Sequence, residues 1–194
     1  MNVSSNPSAL RSQKEITDAL LLLMQKYPYD QISVKQILLE ARIARMTFYR
    51  NYDSKEDVLI SLIKSILREY FDTVNTGKVD LLTTVFTFAY KNRSLILMLE
   101  KNNMLHILLQ CINEYLPVLH NSFFTKDNPF NILMEGLNAD YIMALNIGAL
   151  YNVISLWVHK DMTDTPETVR SNIDQYIKRI GLLQQSTYFK EIKL

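Results

Sequence analysis

The sequence has little of what usually announces covalent chemistry or export. One residue of 194 is cysteine, Cys111, so no internal disulfide can form, and a reducing compartment suits the chain. Glycine occurs four times and proline five times, which is sparse for a chain of many tight turns, and clear strand alternation is absent. Net charge is +1. The molecule is therefore no polycation, and any contact with nucleic acid must come from a local patch. The opening "MNVSSNPSALRSQKE" has no apolar segment of the kind a signal peptide needs. The stretches "ALLLLM" and "LLTTVFTFAY" are too short for a membrane span. No glycine-rich phosphate loop, nucleophile elbow or pair of catalytic carboxylates is present. These absences predict a cytoplasmic protein with no membrane attachment, no cofactor and no enzymatic activity.

What is there is helical spacing, nearly throughout. The pattern predicts a first helix over Ser8–Lys26, with Ile16, Ala19, Leu20, Leu23 and Met24 inward and "KYPYD" ending it. Ser33 should cap a short second helix whose Val34, Ile37 and Leu38 face inward. A third runs from about Ala44 to Asn51. A fourth starts at Ser54, where "SKED" forms a capping box with Asp57 reaching back. Further helices are expected near Leu81–Lys91, Ser94–Glu100, Asn103–Phe124 and Ala139–Lys160. "TKDNPFNILMEGLN" is a loop or a partly helical connection. Thr165, Pro166 and Glu167 announce a last helix to about Leu183. The fold class is all-α. The helices group into an N-terminal segment, 1–53, and a larger helical bundle, 54–194, with the fourth helix, 54–72, joining them.

The third helix is where chemistry concentrates. From Ala41 to Tyr52 there are three arginines and no acid. Ala44, Phe48 and Tyr52 recur every four residues and should face the first two helices. Thr47, Arg50 and Asn51 then point away, with Arg45 and Tyr49 on the flank. Guanidinium forks, an amide and a threonine methyl match guanine, adenine and thymine edges. Two short helices joined by "EARIA" make a helix-turn-helix, whose second helix fits the major groove. Lys55, in the first turn of a helix, opposes the helix dipole. A phosphate there would be held by the ammonium and the free amides together. The plain alternative, a solvated lysine compensated by Asp53, Glu56 and Asp57, weighs less beside the third helix.

The stretch "ISVKQILLEARIARMTFYRNYDSKEDVL" resembles the DNA-binding domain of the tetracycline-repressor-like (TetR/AcrR) family of bacterial transcriptional regulators. Ser33, Val34, Ala41, Ile43, Thr47, Phe48, Tyr49, Tyr52 and Lys55 match that family's pattern in order and spacing. The departures are Arg42 at the turn glycine, Ala44 at the capping serine and Met46 at a small residue. The resemblance implies that Arg45, Thr47, Tyr49, Arg50 and Asn51 approach double-stranded DNA. It implies that Tyr49 and Lys55 bind phosphates, as do Ser33 and Lys35, with Arg11 and Lys14 touching the backbone. Phe48 and Tyr52 belong to the core.

The C-terminal stretch "YIMALNIGALYNVISLWVHKDMTDTPETV" resembles the last two helices of some members. Ala144, Gly148, Asn152 and Ser155 form a small, polar stripe that permits close helix approach. It could build a four-helix bundle across a two-fold axis. The other reading packs the stripe within one subunit. Phe86, Phe88, Met98, Met104, Leu108, Phe123, Tyr141 and Trp157 could line a ligand pocket, although such stripes are more often core. His106 and His120 lack a convergent acid, so no metal is expected. The expectation is a homodimeric, ligand-responsive repressor of a pseudo-palindromic operator. The alternative is a family member whose C-terminal half binds a partner protein and acts as co-regulator or activator.

Overall fold

The computed structural model describes residues 7–74, 81–123 and 136–184, without the side chains of 73–74, 81, 115–123 and 183–184. Every regular element among these residues is helical. The helices are α1 (Pro7–Lys26), α2 (Val34–Ala41), α3 (Arg45–Asn51), α4 (Lys55–Val74), α5 (Leu81–Lys91), α6 (Arg93–Lys101), α7 (His106–Phe123), α8 (Ala139–His159) and α9 (Pro166–Gln184). A single 3-10 turn, Tyr29–Gln31, joins α1 to α2.

Helices α2 and α3 pack against α1, which also meets α4. Ile16, Ala19, Leu20, Leu23 and Met24 are its buried residues, as the spacing predicts. Helices α2 and α3 have eight and seven residues. Alone, helices of that length are marginal in water. What holds α3 is burial: Phe48 is fully enclosed and Tyr52 nearly so, and burying one such ring contributes about 1.5–3 kcal/mol.

The turn between α2 and α3 meets the difficulty posed by Arg42. Its φ is 55°, in the left-handed region, where glycine is the ordinary choice. Its N–H bonds the carbonyls of Leu38 and Leu39, which closes the helix as a left-handed cap does. Ala44 gives α3 no side-chain cap. At α4 the Ser54 hydroxyl accepts from Asp57 N–H (3.1 Å), while the Asp57 carboxylate accepts from Asp53 N–H (3.2 Å). The reach back therefore ends one residue earlier than a standard capping box.

The larger half continues the same core. Helix α4 lies against α5 and α7, α9 against α5, and α8 against α6 and α7. Trp157 anchors α8: its ring stacks on Tyr90 (5.8 Å) and meets Phe86 edge-on (6.1 Å). Its Nε1–H donates to the Asp164 carbonyl (3.1 Å). Beyond α8 the chain turns through two left-handed residues, Asp161 and Met162; burial of the Met162 side chain offsets that cost. The Thr165 hydroxyl then accepts from Thr168 N–H (3.2 Å) and caps α9.

Two expectations change. Helix α8 is long and apolar enough, by length and composition, to cross a membrane. The sequence reading missed this because asparagines interrupt its apolar runs without adding charge. Tyr141, a pocket candidate, is 76% exposed, whereas Phe86, Met104 and Trp157 are buried core and Phe88 packs on Tyr70. Met98 and Leu108 are half-buried against that core. The Phe123 and His120 side chains and most of "TKDNPFNILMEGLN" lie outside the described residues.

Candidate nucleic-acid interface

The outer face of α3 is set by what its inner face buries. With Phe48 and Tyr52 turned inward, Arg45, Met46, Tyr49 and Arg50 stand exposed and together line one shallow surface depression. The Arg45 guanidinium lies 5.5 Å from the centre of the Tyr49 ring, a separation at which a cation is attracted to the ring face. The Tyr49 ring in turn meets Phe48 edge-on at 5.3 Å. That contact fixes the ring while leaving the side chain 46% exposed. Two cations, a phenol and a thioether are thus displayed on a rigid, short helix with no acid among them.

The other sequence-derived residues divide. Lys35 is exposed near the start of α2. Ser33 is exposed too, but its hydroxyl is occupied: it accepts from Gln36 N–H (3.3 Å) and lies 2.7 Å from Gln36 Oε1. Thr47 is half-buried. Asn51 is half-buried, and its Nδ2 donates to the Thr47 carbonyl (2.7 Å). Its amide closes its own helix, so it has less to offer a base than the spacing suggested. Arg11 and Lys14 pair with Glu15 (2.9 Å) and Asp18 (3.2 Å) on the exposed side of α1. Surface pairs of this kind contribute about 0–1 kcal/mol and could be exchanged for a phosphate.

Lys55 differs most from expectation. Its ammonium turns toward the protein, donating to the carbonyls of Tyr29 (2.5 Å) and Ile32 (2.7 Å) above the Tyr29 ring (4.2 Å). Desolvation holds its pKa below the ordinary lysine value, partly opposed by Asp30. The residue fastens α4 to the turn before α2, a role that its position in the sequence could not disclose. Met46, treated in the sequence only as a departure from a pattern, is 75% exposed among the cations and joins the candidate surface.

The remaining sequence-derived residues lie far along the chain, on α8. Ala144 and Asn152 are exposed, Ser155 is half-buried, and a Cβ added at Gly148 would meet nothing within 4 Å. The stripe therefore faces away from the subunit's interior. Tyr141, Leu145 and Leu156 are exposed on the same helix, as are Tyr176, Ile177 and Leu182 on α9. Among the described residues no group of three or more His, Cys, Asp or Glu side chains could hold a metal.

Residues 16–62 match the family described as bacterial regulatory proteins, tetR family. The chain is 25% identical over 163 residues to the fatty acid metabolism regulator protein of Bacillus subtilis (strain 168), a match covering 76% of this chain and 84% of that protein. Its structure is similar to that of the fatty acid degradation regulator FadR from Bacillus halodurans. The TM-score is 0.57 at 20% identity, over 89% of this chain and 95% of that one, which is a likeness of fold. The matched segment contains both helices of the helix-turn-helix and the start of α4, and the family and these relatives are regulators, not enzymes. Residues 16–62 thus carry the domain of the tetR family of bacterial regulatory proteins, and the chain as a whole is similar in fold to a regulator.

Proposed function

We propose that this protein is a cytoplasmic, homodimeric repressor that responds to a ligand and binds a pseudo-palindromic operator, one half-site per subunit. The observation that carries this reading is the outer face of α3, where Arg45, Met46, Tyr49 and Arg50 are exposed together and the inner face is locked by Phe48. A short helix of that shape fits the major groove. In this reading Arg50 and Arg45 read or flank guanine edges, Met46 and Thr47 offer methyl contacts, and Tyr49, Lys35 and Ser33 meet the backbone.

The dimer is supported by the uncovered apolar residues of α8 and α9, those of α8 lying on either side of Gly148. Close approach there would cover them and set two reading heads apart by a fixed distance. The relatives are named for fatty acid metabolism and degradation, and by that likeness we assign the regulated genes to fatty acid metabolism. A second reading uses the same uncovered faces of α8 and α9 to bind a partner protein that modulates operator affinity.

Selection of bound duplexes from a random pool tests the proposal. The expected result is a two-fold related pair of half-sites at one spacing, with affinity falling steeply as salt rises. Recovery of unrelated sequences, or of a single half-site, would remove the operator reading.

A further inference from the structure

The turn between α1 and α2 is tied from two directions, and one tie comes from the far half of the chain. Asn102, at the end of α6, accepts from Tyr29 N–H through Oδ1 (2.8 Å). Its Nδ2 donates to the Met98 carbonyl of its own helix (2.9 Å) and to the Met24 carbonyl near the end of α1 (3.4 Å). The Tyr29 carbonyl accepts from Lys55, which also holds the Ile32 carbonyl. Both backbone groups of Tyr29 are thus used, one by the regulatory half and one by the start of α4. The Tyr29 side chain is buried, and its hydroxyl has no hydrogen-bond partner among the described residues. Its packing and its backbone hold this residue in place.

We propose that Asn102 is a positioning residue for DNA reading, which fixes the angle at which α2 and α3 are presented. The inference rests on the DNA-binding proposal above. A head joined to the body through one helix, α4, could rotate about that helix's axis. A second attachment away from the axis removes that freedom. Asn102 supplies it by gripping the end of α1 and the turn that launches α2, while Lys55 locks the same turn to α4. In a dimer the head angle sets the separation of the two reading helices, and so the half-site spacing that fits both. Loss of the grip lowers the fraction of molecules whose heads match one spacing. Affinity falls in proportion to that fraction.

The test compares the full-length protein with its Asn102→Ala variant by selection from random duplexes, under conditions where both show the same helical circular dichroism. The expected result has two parts: an unchanged half-site, because the reading side chains are untouched, and a broader range of accepted spacings. Affinity for the wild-type operator should fall about tenfold. Wild-type spacing with wild-type affinity would overturn the proposal. So would an equal loss on operator and random DNA with spacing preference unchanged, which is what a merely structural role produces. If the wild type itself selects no common sequence, the DNA-binding reading fails first and takes this inference with it. Should Asn102→Ala not fold, Asn102→Ser replaces it with the same outcomes. A serine can still bond a carbonyl of its own helix but is too short to span to Tyr29.

Discussion

The two ends of the molecule leave different things exposed. On α3 the exposed groups are cationic, aromatic and thioether side chains, interleaved residue by residue. On α8 and α9 they include tyrosine, leucine and isoleucine, and on α8 Tyr141, Leu145 and Leu156 lie on either side of a glycine with open space before it. The first surface is stable in water and suited to charged, edge-bearing nucleic acid. The second gains by being covered, because each large apolar side chain removed from water contributes about 1.5–3 kcal/mol. A subunit with both surfaces is organised to associate at one end and read at the other. In the proposed function, operator binding needs both surfaces.

The sharpest way to break that division is at Gly148. Within the subunit nothing opposes a side chain there, so Gly148→Leu should fold normally. Across a two-fold axis the clash occurs twice, and overpacking typically costs about 1–3 kcal/mol per site. Sedimentation should show a shift to monomer, and operator affinity should fall on the order of a hundredfold, with the helical circular dichroism spectrum retained. A dimer that survives this change would move the interface to another face.

A second test asks whether the larger half carries a dry core of its own. Cys111 on α7 is fully buried, and burial pushes its thiol up from 9.0 to about 11. Lys64 pulls the other way and Glu114 reinforces the rise. Below about pH 9 both folded and unfolded states keep the proton, and stability is undiminished. Between the two values the unfolded chain loses the proton first, so stability should fall as pH rises, by about 3 kcal/mol in all. Urea unfolding at pH 8 and pH 10.5 should show this loss, and Cys111→Ala should shrink it to the share left by Tyr29, Tyr52, Tyr70 and Tyr151, whose hydroxyls burial also pushes up. An unchanged slope in that variant would place the alkaline sensitivity elsewhere.

These two regions were also unequally legible in the sequence. In the head, short-range spacing decides nearly everything. The four-residue recurrence of Phe48 and Tyr52 gave the buried face of α3, and with it the exposure of Arg45 and Arg50. Arg42 stood out only through the resemblance, at a turn position usually held by glycine, and its left-handed backbone came from the structure. Long-range partners were invisible: the Asn102 bond to Tyr29 spans 73 residues, and Lys55 meets carbonyls 23 and 26 residues earlier. Asn51 shows a third limit. Its position on the outer face was readable, but its bond to the Thr47 carbonyl competes with any base. In the larger half, aromatic and methionine residues pattern alike whether they line a cavity or fill a core. Phe86 and Trp157 therefore proved to be packing residues, and Tyr141 a surface one.

The contrast between free and occupied groups on α3 gives a smaller effect. Arg50→Ala should relax preference at particular base pairs by about 1–3 kcal/mol, measured by competition with single-base variants of the operator. Asn51→Ala should alter specificity less, because its amide already serves the helix. Equal effects would mean that DNA draws Asn51 away from Thr47. Uniform loss on every sequence would place Arg50 on the phosphate backbone instead.

Lys55 gives the smallest effect and the finest distinction, since it stands where the reading head meets the body. Two of its three N–H groups are committed to the Tyr29 and Ile32 carbonyls. A lysine that bound a phosphate would release about one counterion, and its removal would flatten the salt dependence of binding by about one unit. A lysine that fastens the turn has another signature. Its removal leaves two carbonyls to water and frees the start of α4, so stability should fall by about 1 kcal/mol, the ordinary net worth of such a bond. The geometry favours the second outcome. Lys55→Ala should therefore melt earlier, keep the wild-type salt slope, and lose its preference for one half-site spacing in the same manner as Asn102→Ala. The double variant should lose little more than either single one, because both changes release the same turn. A flattened salt slope with unchanged stability would return Lys55 to the phosphate backbone and leave Asn102 to hold the turn without it.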